Sequence, residues 1–241
     1  MSITEVPAPP WIIGHRGAAG EACENTLSSL RRGVQAGADM VELDVQLAAD
    51  KVPVCFHDWD LDRLAGRSEI VEKEPSALLT EVTLSSDGDR MPTLAAALEI
   101  VPEKALLNVE LKRRAANPKG LATAVLEVLD NRSRVLVSSF DWELLEVVRQ
   151  LAPDLPLAPI ARYRPGDLIS VGRKLQAFSL HCHHRLVTQH FVERAAADGF
   201  ERIFAYTVNE TDQARRLLAE GISGFFTDLP TIMVKHFRNL E

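Results

Sequence analysis

The amino-acid sequence predicts a (β/α)₈ TIM barrel that forms a single domain over residues 1–241, with a small insertion after the second strand. Strand-like apolar runs alternate with helical runs, and such repeated units form parallel strands with right-handed crossovers. Eight strand-like runs fit in the 241 residues, and one barrel typically needs about 250 residues. Polar residues recur where these runs end, which is where such barrels place their active sites. A doubly wound open sheet is the alternative, but the chain has no GxGxxG fingerprint.

Composition and net charge indicate which kinds of molecule the protein is expected to bind. Apolar residues make up 46% and charged residues 25% of the chain, as in ordinary globular proteins. The formal net charge of −7 disfavours nucleic acid and stable association with an anionic membrane, so we expect a small-molecule substrate. No apolar run approaches the roughly 18 residues of a membrane span, and the N-terminal MSITEVPAPP lacks the features of a secretory signal. Three cysteines without CxxC spacing predict reduced thiols and a cytoplasmic location.

The first predicted unit is a strand, a glycine-containing loop and a helix. Trp11–Gly14 is a short apolar run that leads into a loop, in which Gly17 permits a tight turn close to a ligand. Apolar residues then recur at helical spacing over Leu27–Ala36. Asn25 or Thr26 is expected to cap this helix at its N-terminus, and Gly37 is expected to end it.

The second unit, Met40–Asp58, reads as two strands joined by a turn at residues 48–51. Glu42 and Asp44 are two residues apart, so a strand places both carboxylates on one face. A fold back at that turn would pair residue 47 with residue 52, and this register would bring His57 beside Glu42. Buried charges are costly unless they are paired or hold a metal.

Residues 59–92 break the alternation. This stretch is polar and rich in turn residues, and we interpret it as an insertion over the active site rather than as part of the core. A helix is expected to follow at Thr93–Val101, where Leu94, Leu98 and Val101 share one face.

Regular alternation resumes at residue 105. The predicted strands are Ala105–Leu111, Val135–Phe140, Leu157–Ala161, Ala177–Leu180, Arg202–Val208 and Gly224–Thr227. The predicted helices are Lys119–Leu129, Trp142–Leu151, Gln189–Ala197 and Asp212–Glu220, with a weaker helical pattern between Arg162 and Gln176. Polar residues lie in or after almost every strand: His15, Arg16, Glu42, Asp44, Glu110, Lys112, Ser138, Ser139, His181, Asn209 and Asp228.

These residues occur in short motifs whose order resembles the glycerophosphodiester phosphodiesterase family. The motifs span nearly the whole chain and are HRG (15–17), ENT (24–26), ELD (42–44), HD (57–58), ELK (110–112), SSF (138–140), YTVN (206–209) and TD (227–228). The resemblance implies a TIM barrel with an insertion after the second strand, and the compact length and the absence of a predicted signal peptide are similar to those of the short cytosolic bacterial members. One departure is Tyr206, where the family often has Trp.

The three carboxylates Glu42, Asp44 and Glu110 form the candidate metal site. Carboxylate oxygens suit one divalent cation, Mg²⁺ or Ca²⁺, rather than zinc. The alternative is that the carboxylates only form a salt-bridge network with Arg16 and Lys112. In the functional interpretation, Arg16 and Lys112 bind the phosphate oxygens.

His15 and His57 are the candidate general acid and base, because imidazole titrates near neutral pH. We expect His57 to be the acid, since it precedes the insertion that would cover the leaving group. Phe140, His181 and Tyr206 are the remaining candidates for substrate binding, with core packing as the alternative for both aromatic residues. The run His181–His184 (HCHH) could suggest zinc, but no second thiolate accompanies it.

Together these features predict metal-dependent hydrolysis of glycerophosphodiesters to sn-glycerol 3-phosphate and an alcohol. One alternative is a phosphodiesterase that acts on lysophospholipids, which would need a long apolar groove. Another is a catalytically silent barrel that binds phosphorylated ligands, although neither histidine and no metal carboxylate is missing.

Overall fold

The structure is a computed structural model that describes residues 7–112, 117–130, 132–163 and 165–238. The prediction that no secretory signal is present rests partly on residues 1–6, which lie outside the described residues. No helix in the described part of the chain is long and apolar enough to cross a bilayer.

Eight parallel strands close into a barrel, as the sequence predicts. The pairing runs from β1 through β9, β8, β7, β6, β5, β4 and β2, and β2 pairs with β1 to close the ring. A ninth strand, β3, lies outside the ring and is antiparallel to its neighbour β2. The strands are β1 (Trp11–Gly14), β2 (Met40–Leu47), β3 (Pro53–Cys55), β4 (Leu106–Leu111), β5 (Val135–Ser139), β6 (Leu157–Ala161), β7 (Leu180–His183), β8 (Ile203–Tyr206) and β9 (Gly224–Thr227).

Several helices begin where a short polar side chain accepts a hydrogen bond from the first turn. Thr26, Thr93, Asn117, Asp141 and Thr188 each cap a helix in this way. The helices are α1 (Leu27–Gln35), α2 (Asp62–Ala65), α3 (Ser76–Leu79), α4 (Leu94–Ile100), α5 (Pro118–Leu129), α6 (Trp142–Leu151), α7 (Pro165–Lys174), α8 (Gln189–Ala197), α9 (Thr211–Ala219) and α10 (Pro230–Phe237).

The barrel interior changes from apolar to polar along the strand direction. Its N-terminal half is filled by an apolar cluster that excludes water: Trp11, Ile13, Met40, Leu106, Leu136, Ala158, Phe204 and Phe226. By the period of two, the next residues on the same strand faces are Glu42 and Asn108, followed by Asp44, Glu110 and Ser138. The polar site therefore lies at the C-terminal end of the barrel.

The predicted hairpin forms, but its predicted register is wrong by one residue. Leu47 pairs with Pro53 rather than with residue 52. Lys51 adopts a left-handed conformation with φ of 66°, and the amide of Ala48 donates to the carbonyl of Val52, so the loop holds three residues. His57 still reaches the C-terminal end of the barrel, one residue beyond Phe56, whose amide donates to the carbonyl of Asp44 at 3.1 Å.

Two further elements, a strand and a helix, differ from the sequence prediction. The strand expected at residues 177–180 is β7, which begins only at Leu180, so His181 lies inside a strand and not at its end. The C-terminal helix α10 was not predicted, although Pro230 at its first turn is a typical helix start.

The segment 59–92 forms part of a small core of its own, contrary to the interpretation that it contributes none. It contains α2, α3 and a 3₁₀ turn at Val71–Lys73. Its apolar side chains pack with those at the end of the hairpin in one cluster: Ala48, Val54, Phe56, Leu61, Val71, Leu79, Val82, Leu84 and Met91. Burial of this cluster holds the segment against β2 and β3, next to His57.

Candidate active site

A cavity of about 410 Å³ opens at the C-terminal end of the barrel. Nine of the ten candidate residues from the sequence line it, and the tenth, Asp44, lies buried behind them. The lining residues are His15, Arg16, Glu42, His57, Asn108, Glu110, Lys112, Phe140, Ile160, Arg162, His181, His183, His184, Tyr206, Thr207 and Phe226. No described residue of segment 59–92 is among them, so its placement over the site stays a prediction.

Glu42, Asp44 and Glu110 converge at one wall of the cavity. Each offers a carboxylate oxygen that lies within 4.8 Å of the other two. Glu42 Oε2 accepts a hydrogen bond from the backbone amide of Arg16 at 2.6 Å. Glu42 Oε1 is buried and has no hydrogen-bond partner among the described residues. This unpartnered oxygen is a free ligand position for a cation.

The same carboxylates also contact two cationic side chains. Lys112 Nζ donates to Asp44 Oδ1 at 3.0 Å and to Glu110 Oε1 at 2.6 Å. Arg16 Nε lies 3.1 Å from Asp44 Oδ2. The salt-bridge network of the alternative interpretation is therefore present, but it leaves Glu42 Oε1 without a partner.

Charge and burial set the protonation of this cluster. Burial raises the pKa of Glu42 well above its usual value, and the charges of Asp44 and Glu110 raise it further. Burial opposes ionisation of Asp44 too, but Lys112 and Arg16 hold the pKa of that carboxyl well below its usual value. When no cation is bound, Glu42 is therefore protonated more readily than Asp44.

His15 is oriented by an aspartate at the end of β9. Its Nδ1 lies 2.6 Å from Asp228 Oδ1. Asn209 donates to the other oxygen of Asp228 at 2.7 Å, and its own carbonyl oxygen accepts from the Asp228 amide at 2.8 Å. This arrangement leaves Nε2 of His15 as the ring nitrogen available in the cavity.

His57 is oriented in the same manner by the residue that follows it. Its Nδ1 lies 2.7 Å from Asp58 Oδ1, and Arg63 Nε donates to Asp58 Oδ2 at 2.5 Å. Arg63 also forms two hydrogen bonds to Glu24, which accepts from Arg16 at 2.7 Å. Burial lowers the pKa of His57, which keeps the imidazole neutral at pH 7. A chain of ion pairs thus connects His57 to Arg16.

The floor of the cavity holds buried polar groups without partners. Neither side-chain polar atom of Asn108 has a hydrogen-bond partner among the described residues, and the same is true of Nδ1 of His181. The Nε2 atom of His181 lies 3.0 Å from Ser179 Oγ, and burial lowers the pKa of His181 to about 3. Such groups are costly to bury unless a ligand or water binds them. Sequence reasoning missed Asn108, although its spacing of two from Glu110 could have placed it on the same strand face.

Two aromatic residues, Phe140 and Tyr206, also line the cavity. Phe140 and Tyr206 pack edge to face with ring centroids 5.8 Å apart, and the Tyr206 hydroxyl donates to the Ala161 carbonyl at 3.0 Å. Phe140 remains 36% exposed, which leaves its ring available to a substrate. Within the described residues, the HCHH run contributes to no group of metal-binding side chains.

Comparisons with known proteins agree with this geometry. The model of the "Glycerophosphoryl diester phosphodiesterase family" matches residues 15–232. Bacillus subtilis YhdW is 32% identical over 238 residues, covering 93% of this chain and 97% of the relative. A glycerophosphodiester phosphodiesterase of Caldanaerobacter subterraneus is 27% identical over 237 residues, covering 94% of this chain and 97% of the relative. The solved structure of an Oleispira antarctica phosphodiesterase in complex with the product sn-glycerol 3-phosphate has a TM-score of 0.90 and 29% identity, with 95% and 97% of the two chains covered.

Proposed function

The chain belongs to the glycerophosphoryl diester phosphodiesterase family, and we propose that it hydrolyses glycerophosphodiesters to sn-glycerol 3-phosphate and an alcohol with one bound Mg²⁺ or Ca²⁺ ion. One observation carries the proposal. Two imidazoles, each oriented at Nδ1 by an aspartate, line the same cavity as a buried cluster of three carboxylates. This set supplies general acid, general base and metal ligands for phosphodiester cleavage.

Glu42, Asp44 and Glu110 would hold the cation. Hard oxygen donors and the unpartnered Glu42 Oε1 suit Mg²⁺ or Ca²⁺. When bound there, the cation neutralises charge on the phosphate oxygens. Arg16 and Lys112 lie against these carboxylates, which supports assigning their remaining N–H groups to the phosphate oxygens of the substrate.

We assign the role of base to His57 and the role of acid to His15, which reverses the expectation from chain position. Asp58 shares its charge with Arg63, so it stabilises an added proton on His57 less, and burial keeps this imidazole neutral. Asp228, in contrast, is bonded on its other oxygen by the uncharged amide of Asn209. His15 takes the remaining role: with Nδ1 held by Asp228, its Nε2 is the atom that would give a proton to the leaving alkoxide.

The floor of the cavity suits the glycerol part of the substrate. Asn108 and His181 offer buried donors and acceptors that glycerol hydroxyls can satisfy. Phe140 and Tyr206 supply apolar surface for its carbon atoms.

A hydrolysis screen tests the proposal. Several glycerophosphodiesters are incubated with the protein, and sn-glycerol 3-phosphate is measured after EDTA treatment and after Mg²⁺ or Ca²⁺ is added back. We expect release only with the divalent cation. Full turnover after exhaustive EDTA treatment would exclude the metal role, and absence of turnover on every diester would exclude the activity.

No observation favours the lysophospholipid alternative, because no described residue of segment 59–92 contributes an apolar wall to the cavity. A cytoplasmic location stays a prediction that rests on the three free cysteines, Cys23, Cys55 and Cys182.

A further inference from the structure

The rim of the cavity across from the metal cluster differs from the rest of the site. It is formed where β6 and β7 end, by Arg162, His183 and His184. These strands lie opposite β1 and β2 in the ring. None of the three residues takes part in the proposed chemistry at the phosphate.

The rim carries positive charge without a nearby counter-ion. Arg162 is exposed, and it forms no ion pair with any carboxylate in the described ranges. The acidic residues that line the cavity are Glu42 and Glu110, both on the opposite wall. In a chain with a net charge of −7, an unpaired arginine at the mouth of the active-site cavity is a binding feature rather than general surface charge.

The two histidines of the rim present hydrogen-bond donors. His183 Nδ1 accepts from the backbone amide of Arg185 at 3.2 Å, and His184 Nδ1 lies 3.0 Å from the side-chain amide nitrogen of Gln213, which donates to it. In neutral imidazole the proton is then on Nε2, which is free to donate. Burial, together with nearby arginines, lowers the pKa of both histidines, which favours the neutral imidazoles at neutral pH.

We propose that Arg162, His183 and His184 form a subsite for an anionic head group, best a phosphate monoester carried on the alcohol of the glycerophosphodiester. The inference rests on the proposed function. A guanidinium and two imidazole N–H groups match the acceptor oxygens of a phosphate and offer nothing to a cationic head group such as choline.

The difference in burial between the floor and the mouth of the cavity indicates which end of the substrate contacts this rim. Asn108 and His181 are fully buried at the floor, which suits the invariant glycerol. Arg162 is exposed and His183 and His184 are half-buried at the mouth, where there is room for head groups of different size. A substrate phosphate held at the metal cluster would lie between the two.

The test compares two diesters that differ by one phosphate, glycerophosphoinositol and glycerophosphoinositol 4-phosphate. Both release sn-glycerol 3-phosphate, so one assay gives kcat/KM for each with the Mg²⁺-loaded enzyme. A charge-assisted contact contributes roughly 10- to 100-fold in affinity, and we expect about a tenfold preference for the phosphorylated diester at low ionic strength. Arg162→Gln should lower this ratio towards one, and Arg162→Glu should invert it.

Arg185→Gln is the matched control, because Arg185 lies beside the rim but does not line the cavity. It should leave the ratio nearly unchanged. A ratio that Arg162→Gln does not alter, or that Arg185→Gln lowers equally, would refute the subsite while leaving the proposed function intact. Calorimetric titration of both diesters into Mg²⁺-loaded His15→Ala protein gives the same ratio for binding. If neither diester is cleaved, the proposed function fails, and this binding ratio alone still decides whether the rim selects the phosphate.

Discussion

The ionised carboxylate of Glu42 lowers the stability of the metal-free protein, whereas it favours the binding of a cation. It is buried beside Asp44 and Glu110, which raises its pKa well above the usual value. In metal-free protein the folded state therefore binds a proton at Glu42 more tightly than the unfolded state does. The resulting stability is present below the usual pKa of glutamate and is lost as pH rises through the raised value.

Glu42→Gln should accordingly stabilise the metal-free protein, and more so at pH 8 than at pH 5. The amide cannot ionise, so the variant avoids the cost of a buried charge. Thermal unfolding in EDTA at both pH values measures the effect. A larger gain at pH 5 than at pH 8 would contradict the argument. The same variant should bind Mg²⁺ more weakly in a calorimetric titration.

The roles of His15 and His57 can be separated by the basicity of the leaving group. Choline leaves as a strongly basic alkoxide that needs a proton, whereas nitrophenolate does not. General-acid catalysis contributes about 10²- to 10⁴-fold. His15→Ala should lose most of this factor on glycerophosphocholine and little on a glycerophospho-nitrophenol, while His57→Ala should slow both similarly. Metal content is checked in each variant. Equal losses of activity on both substrates in both variants would exclude a division of roles. If His57→Ala instead loses activity mainly on glycerophosphocholine, the two roles are exchanged.

Site residues that lie close together in the sequence could be predicted as a group, whereas those that only folding brings together could not. The period of two along a strand was enough to place Glu42 with Asp44 on one face. The partner of His15, Asp228, lies 213 residues away in sequence, and its orienting role has no local signature. The ion pair that links Arg63 to Glu24 also joins distant segments, so only the folded chain reveals it.

At the scale of elements, the alternating pattern predicted the type and order of the strands and helices better than it predicted where each one begins and how the strands pair. The hairpin register was missed because the turn at Lys51, which takes a left-handed conformation, shifts the pairing by one residue, and nothing in the sequence marks that choice. The start of β7 was misplaced because apolar residues occur both before and within the strand, at Ala177, Phe178, Leu180 and Cys182, so the pattern does not show where pairing begins.

Helix α2 in segment 59–92 affects the site through Arg63, so Arg63→Ala should reduce kcat about tenfold with little change in KM. Without Arg63, Asp58 keeps its full charge beside His57. The pKa of His57 should therefore rise, and the acidic limb of the pH profile of kcat/KM should move to higher pH.

Arg67→Ala is the control for this prediction. Arg67 pairs with Glu69 in the same segment and does not contact the dyad of His57 and Asp58. It should leave both kcat and the pH profile in place. A loss of activity at Arg63 with an unmoved pH profile would indicate a structural effect only, and Arg63→Lys should restore part of the wild-type profile.

At the scale of the molecule, the metal site joins parts of the barrel that are distant in sequence. Glu42 and Asp44 lie on β2 and Glu110 on β4, and the loop after β1 contacts the cluster through Arg16. The β1–β2 pairing that closes the ring is short, with two residue pairs. A cation held here would thus stabilise the contact between the first strand and its neighbours, and it has no comparable site in the unfolded chain.

Divalent cation should therefore raise the melting temperature by mass action. A ligand at 100 times its Kd stabilises the native state by roughly 2.7 kcal/mol, and 1 kcal/mol shifts Tm by about 2–4 °C in a chain of this size. The expected rise is about 5–11 °C in saturating Mg²⁺ or Ca²⁺, measured by thermal unfolding of EDTA-treated protein. NaCl at equal ionic strength is the control, because simple screening of the net charge of −7 would act in both solutions. Equal rises in the two salts would assign the effect to screening, whereas a rise confined to the divalent cation and absent in Glu42→Gln would assign it to the carboxylate cluster.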